Sequence, residues 1–154
     1  MSRDEDGFEI GKAIVIRNSE SSNKKVLLIS TGAMTSSAIK VSEELAGIGI
    51  ESIVLHVHTI KPLDSRAIIE QAQKAMLIVT LEDHTIIGGL GSACLEALAD
   101  NFHPRVLPPV LRIGLPDIFV HEYGTQESLM KRFELLPEQI VKRIMEFMNK
   151  PGLV

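Results

Sequence analysis

One stretch of the sequence, TLEDHTIIGGLGSACLEALAD at residues 80–100, places two acids and a histidine beside a glycine-rich turn. A carboxylate close to an imidazole can form an acid–base pair, so Glu82, Asp83 and His84 are candidates for catalysis. The same side chains could instead cap backbone groups or contact a neighbouring domain. Taken alone, the residues favour the structural role slightly.

The glycines of this turn are Gly88, Gly89 and Gly91, followed by Ser92. Their spacing lacks the G-x-G-x-x-G pattern of a dinucleotide-binding turn. Glycine also permits positive φ angles and close packing of a helix on a strand, which is a structural use. The turn therefore does not by itself indicate a nucleotide.

A second candidate is STGAMTSSA at residues 30–38, where Thr31 and Gly32 end an apolar run and hydroxyl residues follow. Backbone N–H groups and hydroxyls at the start of a helix can hold an anion such as phosphate. No lysine directly precedes the final hydroxyl residue, so this is not a Walker loop. The favoured alternative is that Thr35 or Ser36 only caps its helix.

The histidines and the single cysteine do not indicate a metal centre. His56 and His58 are two residues apart and would share a strand face, but neither a cysteine nor a carboxylate lies nearby at ligand spacing. Cys94 falls within a helical pattern and is expected to be a small core residue rather than a nucleophile. A lone cysteine fits a reducing compartment.

The whole chain has the composition of an ordinary globular domain. It has 154 residues and a net charge of -4 without a basic stripe, which argues against a nucleic-acid partner. We find no apolar run of about 20 residues that would span a membrane and no secretory signal, so we expect a cytoplasmic protein. The predicted domain covers residues 9–150, with a disordered segment or a linker remnant at 1–8 and a tail at 151–154.

Apolar runs and helical periodicities alternate along this domain. Asp64 or Ser65 is expected to cap the second helix, Leu95 and Leu98 to face inward from the third, Thr125 to cap a short helix, and Pro137 to begin the last. The pattern predicts a three-layer α/β fold with a five-stranded, mostly parallel sheet. Strands are expected at 12–18, 26–30, 52–57, 76–81 and 110–113, and helices at 35–47, 65–75, 92–100, after Thr125 and from Pro137.

Three motifs occur in order: TIKPLD at 59–64, IVTLEDHTIIGGLGSACLEAL at 78–98 and LRIGLPDIFVHEYGT at 111–125. With them the chain resembles the C-terminal domain of transketolase-like thiamine diphosphate enzymes, from about Glu9 to Phe147. The resemblance implies a mixed sheet with one strand running against the others, a role that residues 12–18 fit as an edge strand.

The resemblance also implies where the chemistry lies. In this family, thiamine diphosphate and magnesium bind between two other domains, one holding the diphosphate through a G-D-G motif and the other holding the pyrimidine. This chain lacks that motif, so we assign it no catalytic, cofactor-binding or metal-binding residue. As interdomain or anion contacts we retain Thr31, Gly32, Glu82, His84, Gly88, Gly89, Gly91 and Ser92.

The resemblance favours a structural domain that supports the homodimer of an enzyme transferring two-carbon ketol units between sugar phosphates. Its partners would be the pyrimidine-binding and diphosphate-binding domains or subunit, and the isolated chain is expected to be inactive and to expose a large apolar patch. Two alternatives stay open. The parent could be 1-deoxy-xylulose-5-phosphate synthase or an oxoacid dehydrogenase subunit, or the chain could be a regulatory domain that binds an anion or nucleotide.

Overall fold

The computed structural model describes residues 8–19, 24–101, 107–118 and 124–151. The predicted linker remnant at 1–8 and tail at 151–154 lie outside these ranges, apart from Phe8 and Pro151. The secondary structure alternates as predicted, in the order β1 (Ile14–Asn18), β2 (Lys25–Ser30), α1 (Met34–Gly47), β3 (Ser52–His56), α2 (Ser65–Ala72), β4 (Ala75–Thr85), α3 (Leu90–Asn101), β5 (Val110–Leu115), α4 (Gln126–Arg132) and α5 (Pro137–Met148).

The described strands form one five-stranded sheet in the order β1-β3-β2-β4-β5. Strands β2, β3, β4 and β5 are parallel, and β1 pairs antiparallel with β3 at one edge. Strand β2 lies in the centre and is buried along its whole length, as a strand covered on both faces should be. The predicted mixed sheet with a reversed edge strand is confirmed.

Alternate residues of the central strands contribute to two separate hydrophobic cores, because successive side chains of a strand point to opposite faces of the sheet. On one face Val26 and Leu28 pack with helices α1 and α5. On the other face Leu27 and Ile29 pack with helices α2 and α3, including the buried Cys94. The predicted three-layer architecture and the core position of Cys94 are thus confirmed.

Helix ends follow the predicted chemistry in three of four cases. The Asp64 carboxylate accepts a hydrogen bond from the backbone N–H of Ala67, and Thr125 caps α4 by accepting from Ser128. Pro137 occupies the first turn of α5. The prediction that Thr35 or Ser36 caps α1 is wrong, because that helix begins at Met34 and has no side-chain cap.

Two further predictions need correction. Strand β4 continues through the acids and His84 to Thr85 instead of ending at Leu81. In α3, Leu98 is buried as predicted, but Leu95 is only half-buried. The buried line of α3 follows Leu90, Cys94 and Leu98 at intervals of four, which turns Leu95 to the side. Among the described residues, no helix is long and apolar enough to cross a bilayer.

Candidate functional site

The candidate residues lie at the ends of β2 and β4, two adjacent strands whose connections to the next strand run in opposite directions across the sheet. Strand β2 leads to β3 on one side, and its neighbour β4 leads to β5 on the other. In open α/β sheets, ligand crevices lie beyond the carboxyl ends of strands at such a point. The Thr31 N–H donates to the carbonyl of Leu81, and a Cβ placed on Gly32 would lie 3.7 Å from Asp83 Oδ1. The structure therefore brings both predicted stretches to one edge of the sheet.

Glu82 is the buried charge of this edge, with a relative exposure of 1%. Its Oε2 accepts a hydrogen bond from the Leu90 N–H at 2.7 Å, and its Oε1 accepts one from the Gly91 N–H at 3.0 Å. These N–H groups belong to the first turn of α3, where helical backbone donors lack partners and the helix dipole favours a negative charge. The Glu82 carboxylate thus occupies the place that a bound anion would take.

The glycines next to Glu82 leave room for its carboxylate. A Cβ on Gly89 would overlap Glu82 Oε2, and a Cβ on Gly91 would lie 2.8 Å from Thr80 Oγ1 and 3.0 Å from Glu82 Oε1. Such distances are shorter than non-bonded contacts allow, so a side chain at either position would displace the carboxylate. The GGLGS segment is therefore shaped around a side chain of the protein itself.

Hydrogen bonds involving the remaining residues of the turn fix the conformation of its backbone. Gly88 has a φ of 75° and donates its N–H to Ser92 Oγ at 3.0 Å, while Ser92 Oγ donates to the Ile86 carbonyl at 3.3 Å. The Arg112 guanidinium donates to the same carbonyl at 3.0 Å. Arg112 is on β5, twenty residues from Ser92, and no local pattern in the sequence pointed to it.

His84 does not form an acid–base pair with Glu82. Its side chain is 73% exposed, and its Nε2 lies 3.8 Å from Asp83 Oδ1, beyond hydrogen-bonding distance. Among the described residues, the acid in contact with the imidazole is the adjacent Asp83, in an exposed contact of the kind that contributes little energy. The catalytic interpretation of Glu82 and His84 has no geometric support.

Two of the five hydroxyl residues of STGAMTSSA, Ser30 and Thr35, form internal contacts through their side chains. Ser30 Oγ donates to Thr35 Oγ1 at 3.1 Å, and Thr35 Oγ1 lies 2.7 Å from His56 Nδ1. Burial, and next the neighbouring His58, lower the pKa of His56 below its ordinary value. The network ties β2, α1 and β3 together, and it leaves these hydroxyls engaged rather than free for an anion.

His56 and His58 lie close together, with ring centroids 5.7 Å apart, and Phe8 packs against His58 with centroids at 4.2 Å. Within the described part of the chain, no three His, Cys, Asp or Glu side chains form a group that could hold a metal ion. Without a third ligand of this kind among the described residues, the two histidines do not fit the magnesium ion and diphosphate of the cofactor. Burial raises the pKa of the Cys94 thiol to about 12, which keeps it protonated and unreactive at neutral pH.

Comparison with known proteins agrees with this architecture. The family model for the transketolase C-terminal domain matches residues 14–140. The chain is 40% identical to a 1-deoxy-D-xylulose-5-phosphate synthase of Caldanaerobacter subterraneus subsp. tengcongensis, over 90% of the chain and 21% of that protein. It is 38% identical to a 6-deoxy-6-sulfo-D-fructose transketolase subunit of Clostridium sp., over 92% of the chain and 41% of the subunit.

A solved structure described as a split-gene transketolase, an inactive beta4 tetramer, superposes with a TM-score of 0.78 and 29% identity over 90% of this chain and 43% of that one. The transketolase of Campylobacter jejuni subsp. jejuni shares the fold, with a TM-score of 0.63 and 16% identity over 88% of this chain and 18% of that one. This chain spans between 18% and 43% of the length of these proteins. The chain belongs to the transketolase C-terminal domain family.

Proposed function

We propose that the chain is a structural, interface-forming domain of a transketolase-type enzyme that moves two-carbon ketol units between sugar phosphates. Thiamine diphosphate and magnesium would be held by the pyrimidine-binding and diphosphate-binding domains or subunit, with which residues 9–150 assemble in a cytoplasmic homodimer. The observation that carries this proposal is the engagement of Glu82. Glu82 is the buried acid of the stretch that the sequence singles out for possible catalysis, and its carboxylate already accepts two backbone hydrogen bonds.

The charges at the carboxyl edge argue against the regulatory alternative. The first turn of α3 already holds the Glu82 carboxylate, and Asp83 lies beside the segment that leads into α1. A phosphate or nucleotide at either helix start would meet a negative charge from the protein itself. We therefore favour the structural role over binding of a regulatory anion.

Strand β1 supports the interface part of the proposal. Val15 and Ile16 are 43% and 44% exposed, although β1 belongs to the sheet. Phe8 and Ile10, which precede this strand, are 57% and 71% exposed. Four of the seven large apolar side chains that are exposed among the described residues thus lie on β1 or just before it, and such a grouping is typical of a surface that a partner covers. The area of the expected apolar patch stays a prediction.

The test is complementation. The purified chain is combined with a subunit that carries the two cofactor-binding domains of a split transketolase, and ketol transfer is measured with thiamine diphosphate, magnesium and a ketose phosphate. We expect no turnover by the chain alone and turnover by the mixture. The Glu82→Gln variant should complement wherever it remains folded, because Glu82 performs no chemistry. Turnover by the chain alone would overturn the proposal.

A further inference from the structure

We propose that an apolar cavity at the carboxyl edge of the sheet, between the start of α1, the end of β5 and α4, binds a small organic cation with an apolar body, such as an arylalkyl ammonium ion. The cavity has a volume of about 290 Å³. This is close to the lower limit of small-molecule sites, which fall in the range of roughly 300–1,000 Å³. The cavity also lies at the point of the sheet where α/β folds bind ligands.

The walls of the cavity suit an apolar body. Helix α4 has no fully buried residue and contributes the half-buried Leu129 and Met130. The helix therefore forms one wall of the cavity without filling it. An apolar ligand would bury the apolar surface of these side chains, which the fold leaves accessible. The apolar lining consists of Met34, Leu115, Leu129, Met130, Phe133 and Leu135.

The charge of the ligand follows from Asp83, the one charged residue that lines the cavity in the described part of the chain. The carboxylate is partly exposed and accepts no hydrogen bond from the described residues, and its contact with His84 is long at 3.8 Å. An ammonium group at this position would donate charge-assisted hydrogen bonds to Asp83. A carboxylate or phosphate would be repelled. The polar amide of Gln126 completes the lining.

The test uses the full 154-residue chain and three probes that share a phenyl ring: 2-phenylethylammonium, the neutral 2-phenylethanol and the anionic 3-phenylpropionate. Amide chemical shifts are followed by nuclear magnetic resonance during titration at pH 7. We expect the ammonium ion to bind about tenfold more tightly than the alcohol, with the largest shifts near Asp83, Leu115 and Leu129. The anion should bind most weakly.

Two variants and a control make the result specific. Asp83→Asn keeps the size of the side chain and should weaken ammonium binding about tenfold, to the level of the alcohol. Leu129→Trp should fill the cavity and reduce binding of both. Glu70→Gln removes an exposed charge on α2, a helix packed on the opposite face of the sheet, and should leave the affinities unchanged. Equal affinity for all three probes, or ammonium binding that Asp83→Asn does not change, would overturn the proposal.

Discussion

At the scale of single residues, Glu82 is predicted to stabilise the fold through its two hydrogen bonds to the start of α3. Glu82→Gln keeps the shape of the side chain but removes the negative charge that faces the first turn of α3. The amide also turns an N–H group toward one of the two backbone donors. Because hydrogen bonds to charged groups contribute about 1.5–3 kcal/mol each, we expect the free energy of unfolding to fall by about 2–3 kcal/mol, measured by urea denaturation.

The matched control for this variant is Glu96→Gln, which changes the same residue type at an exposed position of α3. Its free energy of unfolding should stay within about 0.5 kcal/mol of the unsubstituted chain. If the two variants were equally stable, Glu82 would not be the anchor of the helix start, and the structural explanation of the acidic corner would have to be abandoned.

A second prediction concerns two glycines that sequence alone cannot distinguish. Gly89→Ala should cost about 2 kcal/mol or more, because its Cβ would overlap Glu82 Oε2 and lie 3.0 Å from the Thr85 carbonyl oxygen. Gly47→Ala, at the end of α1, meets nothing within 4 Å and should stabilise the chain by about 0.5–1 kcal/mol. Thermal unfolding of both variants checks the opposite signs; equal shifts would contradict the packing around Glu82.

At the scale of secondary-structure elements, the Ser30–Thr35–His56 network joins two parallel strands to the helix between them. The pKa of His56 is lowered in the folded state, chiefly by burial and then by His58. The unfolded chain therefore binds more protons at His56 than the folded chain in the pH range between the lowered pKa and about 6.5. The contribution of His56 to stability is complete above that pH and is lost as the pH falls toward the lowered pKa.

The expected outcome is a free energy of unfolding that decreases between pH 7 and pH 5, measured by urea denaturation at several pH values. His56→Gln should be less stable at pH 7 and should show a shallower decrease, because the titrating group is gone. The exposed His84→Gln serves as the control and should keep the slope of the unsubstituted chain. A slope unchanged in His56→Gln would assign the pH dependence to other groups.

The sequence predicts those elements whose signals are local. The alternating apolar runs, the side-chain caps of Asp64 and Thr125 and the proline of α5 involve residues a few positions apart, and the structure confirms them. The start of α1 was predicted wrongly because Thr35 makes its hydrogen bonds with Ser30 and His56, across elements, rather than with its own helix. Such a choice depends on tertiary contacts that propensity does not encode.

In the candidate site, too, contacts between residues close in sequence could be predicted, whereas contacts between different strands could not. Glu82 and the glycines near it are close in sequence, so a capping role could be proposed from the residues. Arg112 and Gly114 reach the same corner from β5, where a Cβ on Gly114 would lie 2.8 Å from Glu82 Cγ. The proximity of Gly32 to Asp83 likewise results from the pairing of β2 with β4. These contacts follow from the sheet order, which no spacing in the sequence reveals.

At the scale of the whole molecule, the sheet is covered unevenly. The helices pack over the central strands, whereas the edge strand β1 exposes Val15 and Ile16. If a partner covers this edge, the double substitution Val15→Lys and Ile16→Lys should abolish concentration-dependent association in sedimentation velocity and weaken complementation by a cofactor-binding subunit. Because both side chains are exposed, the free energy of unfolding should change by no more than about 0.5 kcal/mol per substitution. Ile48→Lys, at an exposed residue following α1, is the control and should leave association intact. Association that survives the double substitution would place the interface elsewhere and leave the apolar edge without its proposed partner.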